Sequence, residues 1–78
     1  MPYSTNSDLP PPIRNHLPNH AQDIFRETFN HAYATHPHDP HREEAAFRMA
    51  WGAVKRAYLK LGDRWVARSH LGLVTPPG

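Results

Sequence analysis

The chain has 78 residues, no cysteine and a formal net charge of +2. A chain of this length folds as one domain around a single small core. The lack of cysteine excludes disulfide cross-links and thiolate metal sites. No apolar run approaches the ~20 residues of a membrane span, and the first residues show no signal-peptide pattern. We therefore expect a cytoplasmic protein.

The first predicted element begins at the proline triplet 10–12. Proline fits the first turn of an α-helix because its fixed φ suits that position. Ile13 and Leu17 are four residues apart, so both lie on the inner side of a short helix from about Pro11 to Leu17. A polyproline segment that binds a partner is the alternative.

A second helix is predicted after Pro18. Asn19 and Gln22 have the spacing of a capping box, or Pro18 occupies the first helical position. Apolar residues then recur with a helical period as far as Tyr33. We expect this helix to end before His36, which is followed by proline.

The longest amphipathic pattern runs from Glu44 to Leu61 and predicts a third helix. Asp39 fits its N-terminal cap and Gly62 its C-terminal cap. Its outer side carries four cations: Arg48, Lys55, Arg56 and Lys60. A solvated helix face is the simplest interpretation. The functional interpretation is a docking face for an acidic protein, a nucleic acid or an anionic lipid.

Residues 64–67 have the character of a short strand, and a lone strand needs a partner. The only other spare extended piece is Pro2-Tyr3, so we expect these two segments to pair. The predicted fold class is mainly α, or small α+β. It is a compact three-helix domain with a short two-stranded β-sheet that joins the N-terminal and C-terminal ends. Residues 1–68 form this domain, and residues 69–78 are predicted to be a mobile tail.

The apolar sides of these elements predict one core in which the aromatic residues are structural. Its predicted members are Ile13, Leu17, Ile24, Phe25, Phe29, Tyr33, Phe47, Trp51, Val54, Tyr58, Leu61 and Trp65.

The central loop carries His36, His38 and His41 around Asp39. Imidazole and carboxylate groups bind zinc, copper or nickel, but this spacing matches no strong metal motif. We therefore expect a solvated loop, no metal site and no cofactor, with these three histidines as weak metal candidates.

No set of residues has the pattern of a catalytic site. The serines have no Ser-His-Asp signature, and Asp23 and Glu27 share an exposed helix face, where carboxylates are not tuned for acid–base work. We expect no enzymatic activity.

Several ordered blocks in residues 1–66 resemble the ChaB family of cation transport regulators. They are the segments 1–3, 7–10, 17–25, 29–30, 42–44 and 50–55, together with Trp65. The resemblance implies a compact set of helices with a very small two-stranded sheet. It also implies an association with a sodium/calcium–proton antiporter. The histidine- and proline-rich loop and Gly52 depart from the family pattern.

The expected function is a non-enzymatic adaptor that regulates a membrane cation transporter from the cytosolic side. The expected contact residues are Arg48, Lys55, Arg56, Lys60 and Arg64. The alternative is a small nucleic-acid-associated protein that uses the same cations.

Overall fold

A 3₁₀ turn, three α-helices and a β-hairpin follow one another in the computed structural model, which describes residues 2–69. The elements are the 3₁₀ turn Asn6–Asp8, α1 Pro11–His16, α2 Asn19–Thr35, α3 Arg42–Ala57, β1 Tyr58–Leu61 and β2 Arg64–Ala67. The predicted mainly α, small α+β class with three helices is confirmed.

The core lies between α2 and α3 and combines large rings with alanines. Phe25 is fully buried, and Phe29 is nearly so. The ring centroid of Phe47 on α3 lies 5.0 Å from that of Phe29, in an edge-on arrangement. Ala46 and Ala50 on α3 are fully buried. Such small side chains let the two helices approach closely enough for the rings to interlock.

The N-terminal segment is attached to α2 by polar side chains. The backbone N–H of Tyr3 donates to Asn30 Oδ1 at 3.1 Å, and Asn30 Nδ2 donates to the Tyr3 carbonyl at 2.7 Å. Arg26 Nε donates to Asn6 Oδ1 at 2.8 Å, and Asn6 Nδ2 donates to Asp23 Oδ1 at 2.7 Å. The spacing of the three α2 residues places them on one side of that helix. Asn30 is therefore a buried polar residue whose bonding groups are used in the fold.

The sheet is a hairpin near the C-terminal end, and the predicted pairing of Pro2-Tyr3 with residues 64–67 is wrong. Strand β2 pairs antiparallel with β1, in the register Tyr58 to Ala67 and Lys60 to Trp65. Gly62 has φ +65° and opens the two-residue turn. Glycine at the first central position of a hairpin turn allows the backbone twist that adjacent strands require.

Helix α3 ends at Ala57, four residues before the predicted end, and Gly62 is therefore no helix cap. Tyr58 and Leu61 are three residues apart, a spacing that continues the helical pattern of α3. The same segment also suits a short strand before a glycine turn. Pairing with β2 decides between the two, and periodicity alone could not.

Because of the hairpin, the core after the end of α3 differs from the predicted one. Leu61 is 47% exposed, whereas Tyr58 is 6% exposed. Successive strand residues face opposite sides, so Leu61 lies on the face opposite Tyr58. Leu9 is buried but was not predicted, because it follows a 3₁₀ turn and precedes a proline, outside any helical period.

The predicted tail begins at Ser69, and its residues 70–78 lie outside the described part of the chain.

Candidate docking surface

Three cations of α3 lie together on its outer side. Arg48, Lys55 and Arg56 are exposed, and their spacing of seven and eight residues returns to the same side of a helix. Gly52, also exposed, lies between them. Within residues 2–69 the ion pairs join Arg26 to Asp23 and His41 to Glu44, so none of these three cations takes part in one.

Lys60 lies on β1 of the hairpin, so its predicted place on the third helix is wrong, whereas Arg64 begins the strand that was predicted for residues 64–67. Both are exposed. Lys60 is directly opposite Trp65, and Arg64 is opposite Leu61, so the two cations point to opposite faces of the hairpin. The structure thus divides the five predicted contact residues between α3 and the hairpin. We call these five residues the basic surface: Arg48, Lys55, Arg56, Lys60 and Arg64.

A cleft opens between α1 and the hairpin, and two tryptophans form its wall. The ring centroids of Trp51 and Trp65 are 5.8 Å apart with an interplanar angle of 32°, and both residues are partly exposed. On its core side, Trp51 meets Phe25 edge-on at 5.3 Å. We call this space, of about 240 Å³, the tryptophan cleft. It is lined by Pro12, Ile13, His16, Trp51, Lys60 and Trp65.

A second cleft of about 290 Å³ adjoins the first. The two share His16 and Trp65 among their lining residues, and the second adds Asp63 and Arg64. The boundary between α1 and the hairpin therefore contains two adjoining clefts. Each is lined by one cation of the basic surface, Lys60 in the first and Arg64 in the second.

The exposure of these tryptophans was not predicted, since both were assigned to the core. One signal was available in the sequence. Tryptophan is so large that it is rarely buried completely.

The three loop histidines are exposed, and the rings of His36 and His41 have polar neighbours close by in the chain. His36 Nδ1 lies 2.9 Å from the carbonyl of Ala32, and His41 Nδ1 lies 3.9 Å from Glu44 Oε2. In the described range 2–69, no group of three His, Asp or Glu residues is placed to hold a metal ion. His36, His38 and His41 are therefore not brought together as a ligand set.

Asp23 has a structural role. Its Oδ1 accepts a hydrogen bond from Asn6 and lies 3.7 Å from the Arg26 guanidinium, while Glu27 stays exposed. Asp23 thus fixes the N-terminal segment, and the structure does not join the two carboxylates into one site.

Two phenols lie close to the core. Burial raises the pKa of Tyr3, and Glu43 adds to this effect. Burial likewise raises the pKa of Tyr58 above its ordinary value, and the carboxylate of Asp23 adds to it. Both phenols therefore stay neutral to a higher pH in the folded protein than in the unfolded chain.

None of the helices in residues 2–69 has the length and apolar character that a membrane crossing requires.

The fold and the basic surface define a small α+β domain of three helices closed by a hairpin that carries exposed cations. The ChaB family model matches residues 9–68, and the chain belongs to the ChaB family. The resemblance seen in the sequence is confirmed.

Two similar proteins match this chain over most of its length. An Escherichia coli (strain K12) protein named "Putative cation transport regulator ChaB" is 45% identical over 76 residues, covering 88% of this chain and 100% of that protein. The NMR solution structure of a protein with the same name has 44% identity and a TM-score of 0.76, covering 85% of this chain and 97% of that one.

A more distant relative comes from a virus. The "Uncharacterized protein in LEF8-FP intergenic region" of Lymantria dispar multicapsid nuclear polyhedrosis virus is 35% identical over 54 residues, covering 69% of this chain and 72% of that protein.

Proposed function

We propose that this protein is a non-enzymatic regulator of a membrane cation transporter, which it contacts through the basic surface. The observation that carries the proposal is the exposure of five cations along α3 and the hairpin, none of which forms an ion pair within residues 2–69. The E. coli relative bears the name of a cation transport regulator, which supports a regulatory role.

The exposed position of these cations favours a role in binding a partner over a role in stabilising the fold. Exposed charges contribute little to folding, because water already solvates them well. Clustered like charges repel one another, yet they speed the approach of an oppositely charged surface. Residues 45–78 carry six Lys and Arg residues and a single acid, Asp63. The basic surface is thus suited to an acidic partner.

The partner we propose is a sodium/calcium–proton antiporter, contacted at acidic loops on its cytosolic side. The regulator would be recruited by charge, and its bound domain would then change the rate at which the loops open and close the transport path. Such docking weakens as ionic strength rises, since salt screens exposed charges over a Debye length of about 8 Å at physiological salt.

The test uses everted membrane vesicles that contain such an antiporter. Sodium or calcium is added to vesicles holding a proton gradient, and a pH-sensitive dye follows the loss of the gradient with and without the purified full chain. We expect the chain to change the antiport rate. The variant Lys55→Gln with Arg56→Gln should have a several-fold weaker effect.

The control variant lowers the net charge by the same amount, but at positions outside the basic surface. His31→Glu with Ala34→Glu adds two negative charges at exposed positions of α2 and should regulate as the parent does. Equal loss in both variants would mean that net charge matters and the basic surface does not. No effect of the parent chain on the vesicles would contradict the proposal.

Nucleic acid is the competing partner for the same cations. Titration with duplex DNA over a salt series distinguishes the two, because phosphate contacts give a steep dependence of affinity on salt. We expect no micromolar binding at about 0.15 M salt. Tight binding there, lost in the Lys55→Gln, Arg56→Gln variant, would contradict transporter docking in favour of nucleic acid.

A further inference from the structure

We infer that the tryptophan cleft takes one apolar side chain from an acidic linear segment of the protein partner. The inference rests on the proposed function and adds a specific site to it. The basic surface supplies attraction without selectivity, and the cleft would select which acidic segment is held.

The wall of the cleft is the first argument. Trp51 and Trp65 keep part of their ring surface in contact with water, although each packs against the core on another side. Tryptophans in this state are the residues that most often dominate the binding energy of protein interfaces, because their large rings gain much from being covered. An apolar side chain that enters the cleft would cover both rings.

The cleft is already formed in the protein without a partner. Trp51 is fixed edge-on against Phe25, and Ile13 on α1 is 5% exposed. Pro12 adds a rigid ring to the same side of the cleft. A preformed cleft loses little conformational entropy when it is filled, which favours binding of a short segment.

The size of the cleft limits its occupant. Its volume of about 240 Å³ is below the roughly 300–1,000 Å³ of pockets that hold drug-sized ligands. A single leucine or phenylalanine side chain is a more suitable occupant than a cofactor.

The charge around the cleft determines what flanks that side chain. Lys60 is the cross-strand partner of Trp65, so both side chains are on one face of the hairpin, and Lys60 is an exposed residue at the rim of the cleft. Arg64 lines the adjoining cleft, and Asp63 is the single acid among the residues that line the two clefts. Carboxylates on either side of the apolar residue would therefore meet cations.

The test uses capped synthetic hexapeptides and two-dimensional NMR of the full chain. The probe peptide has four acidic residues around a Leu-Phe pair, and its control has two serines in place of that pair. The chain contains just two tryptophans, so the two indole N–H signals report directly on the cleft wall. We expect the probe to shift both indole signals in a saturable way and to bind at least about fivefold more tightly than the serine peptide.

Charge-reversal variants show which cation contributes to binding of the probe peptide. Lys60→Glu changes an exposed strand residue at the rim and should weaken the probe about tenfold, whereas Arg48→Glu, an equal change on α3, should weaken it about twofold. Equal weakening by the two changes would overturn the rim role of Lys60. Unchanged amide spectra elsewhere verify that the variants remain folded.

The remaining outcomes separate this inference from the proposed function. If the serine peptide binds as tightly and shifts only α3 amides, the cleft inference is overturned and charge-driven docking stands. If neither acidic peptide binds, the cleft inference is overturned, and the vesicle assay decides the proposed function independently. If the indole signals move with protein concentration alone, a second copy fills the cleft and the inference is again overturned.

Discussion

Phe25 and Phe29 are sealed between α2 and α3, whereas Trp51 and Trp65 keep part of their surface in water at the edge of the same core. The two aromatic pairs are connected, since Trp51 lies edge-on against Phe25. A domain of this size has few large side chains with which to stabilise itself. The phenylalanines therefore lie at the centre of the fold, and the partly uncovered tryptophans are what the proposed cleft requires.

The largest expected effect is on the buried pair. Phe25→Ala removes a fully buried ring and should lower the free energy of unfolding by about 3–5 kcal/mol, measured by urea denaturation. Trp65→Ala truncates a larger but partly exposed ring and should cost less. If the two variants lose the same stability, the tryptophan is as much a core residue as the phenylalanine, and the contrast fails.

The attachment of the N-terminal segment gives the next largest effect. Asn30→Ala leaves the N–H and the carbonyl of Tyr3 without their partner and should cost about 1–3 kcal/mol. Hydrogen exchange at the Tyr3 amide should become much faster. The neighbouring change His31→Ala, at an exposed site on the same helix, should alter neither quantity. Unchanged protection of the Tyr3 amide in Asn30→Ala would contradict this attachment.

Alkaline pH tests the two phenols near the core. Burial raises the pKa of Tyr3 and Tyr58, so the folded state favours the neutral phenol more than the unfolded chain does. Their contribution to stability is complete below the ordinary pKa of 10.0 and is lost as pH rises through the higher folded values. Urea denaturation across this range should show falling stability. Tyr3→Phe with Tyr58→Phe should flatten the profile, and an unaltered slope would contradict the assignment.

The smallest effect concerns the middle of the basic surface. Gly52 is an exposed residue inside α3, and a β-carbon added there would meet nothing within 4 Å beyond its chain neighbours and the backbone of its own helix. Gly52→Ala should therefore raise the free energy of unfolding by about 1 kcal/mol. Regulation in the vesicle assay should be unchanged. Lower stability would show that the glycine conformation is needed, and lost regulation would show that a partner approaches the helix backbone at this point.

The sequence predicted the start of α1 and the end of α2 well, since proline marks both places, but α3 begins at Arg42 with His41, and not the expected Asp39, at its N-cap. Helix α1 begins at Pro11 and α2 ends at Thr35, before His36, both as expected. The blocks that resemble the ChaB family also led to the correct family and fold class. These features depend on local backbone restrictions and on residue order, which a single sequence displays.

Features that depend on distant contacts were not predictable in the same way. The strand Tyr58–Leu61 fits both a helical and an extended pattern, and only its pairing with β2 resolves the ambiguity. The bonds from Asn30 to Tyr3 join residues 27 positions apart. Exposure of Trp51 and Trp65 likewise depends on where α1 lies relative to the hairpin. The cations were recognised from their residue type, but Lys60 was placed on the third helix and lies on β1.

The most direct test of the contrast between the two aromatic pairs is quenching of tryptophan fluorescence by acrylamide. All of this emission comes from Trp51 and Trp65. We expect quenching between that of a free indole and that of a buried one, lowered when the acidic Leu-Phe peptide binds and unaffected by the serine peptide. Quenching as weak as that of a fully buried tryptophan, in the chain alone, would contradict an open tryptophan cleft.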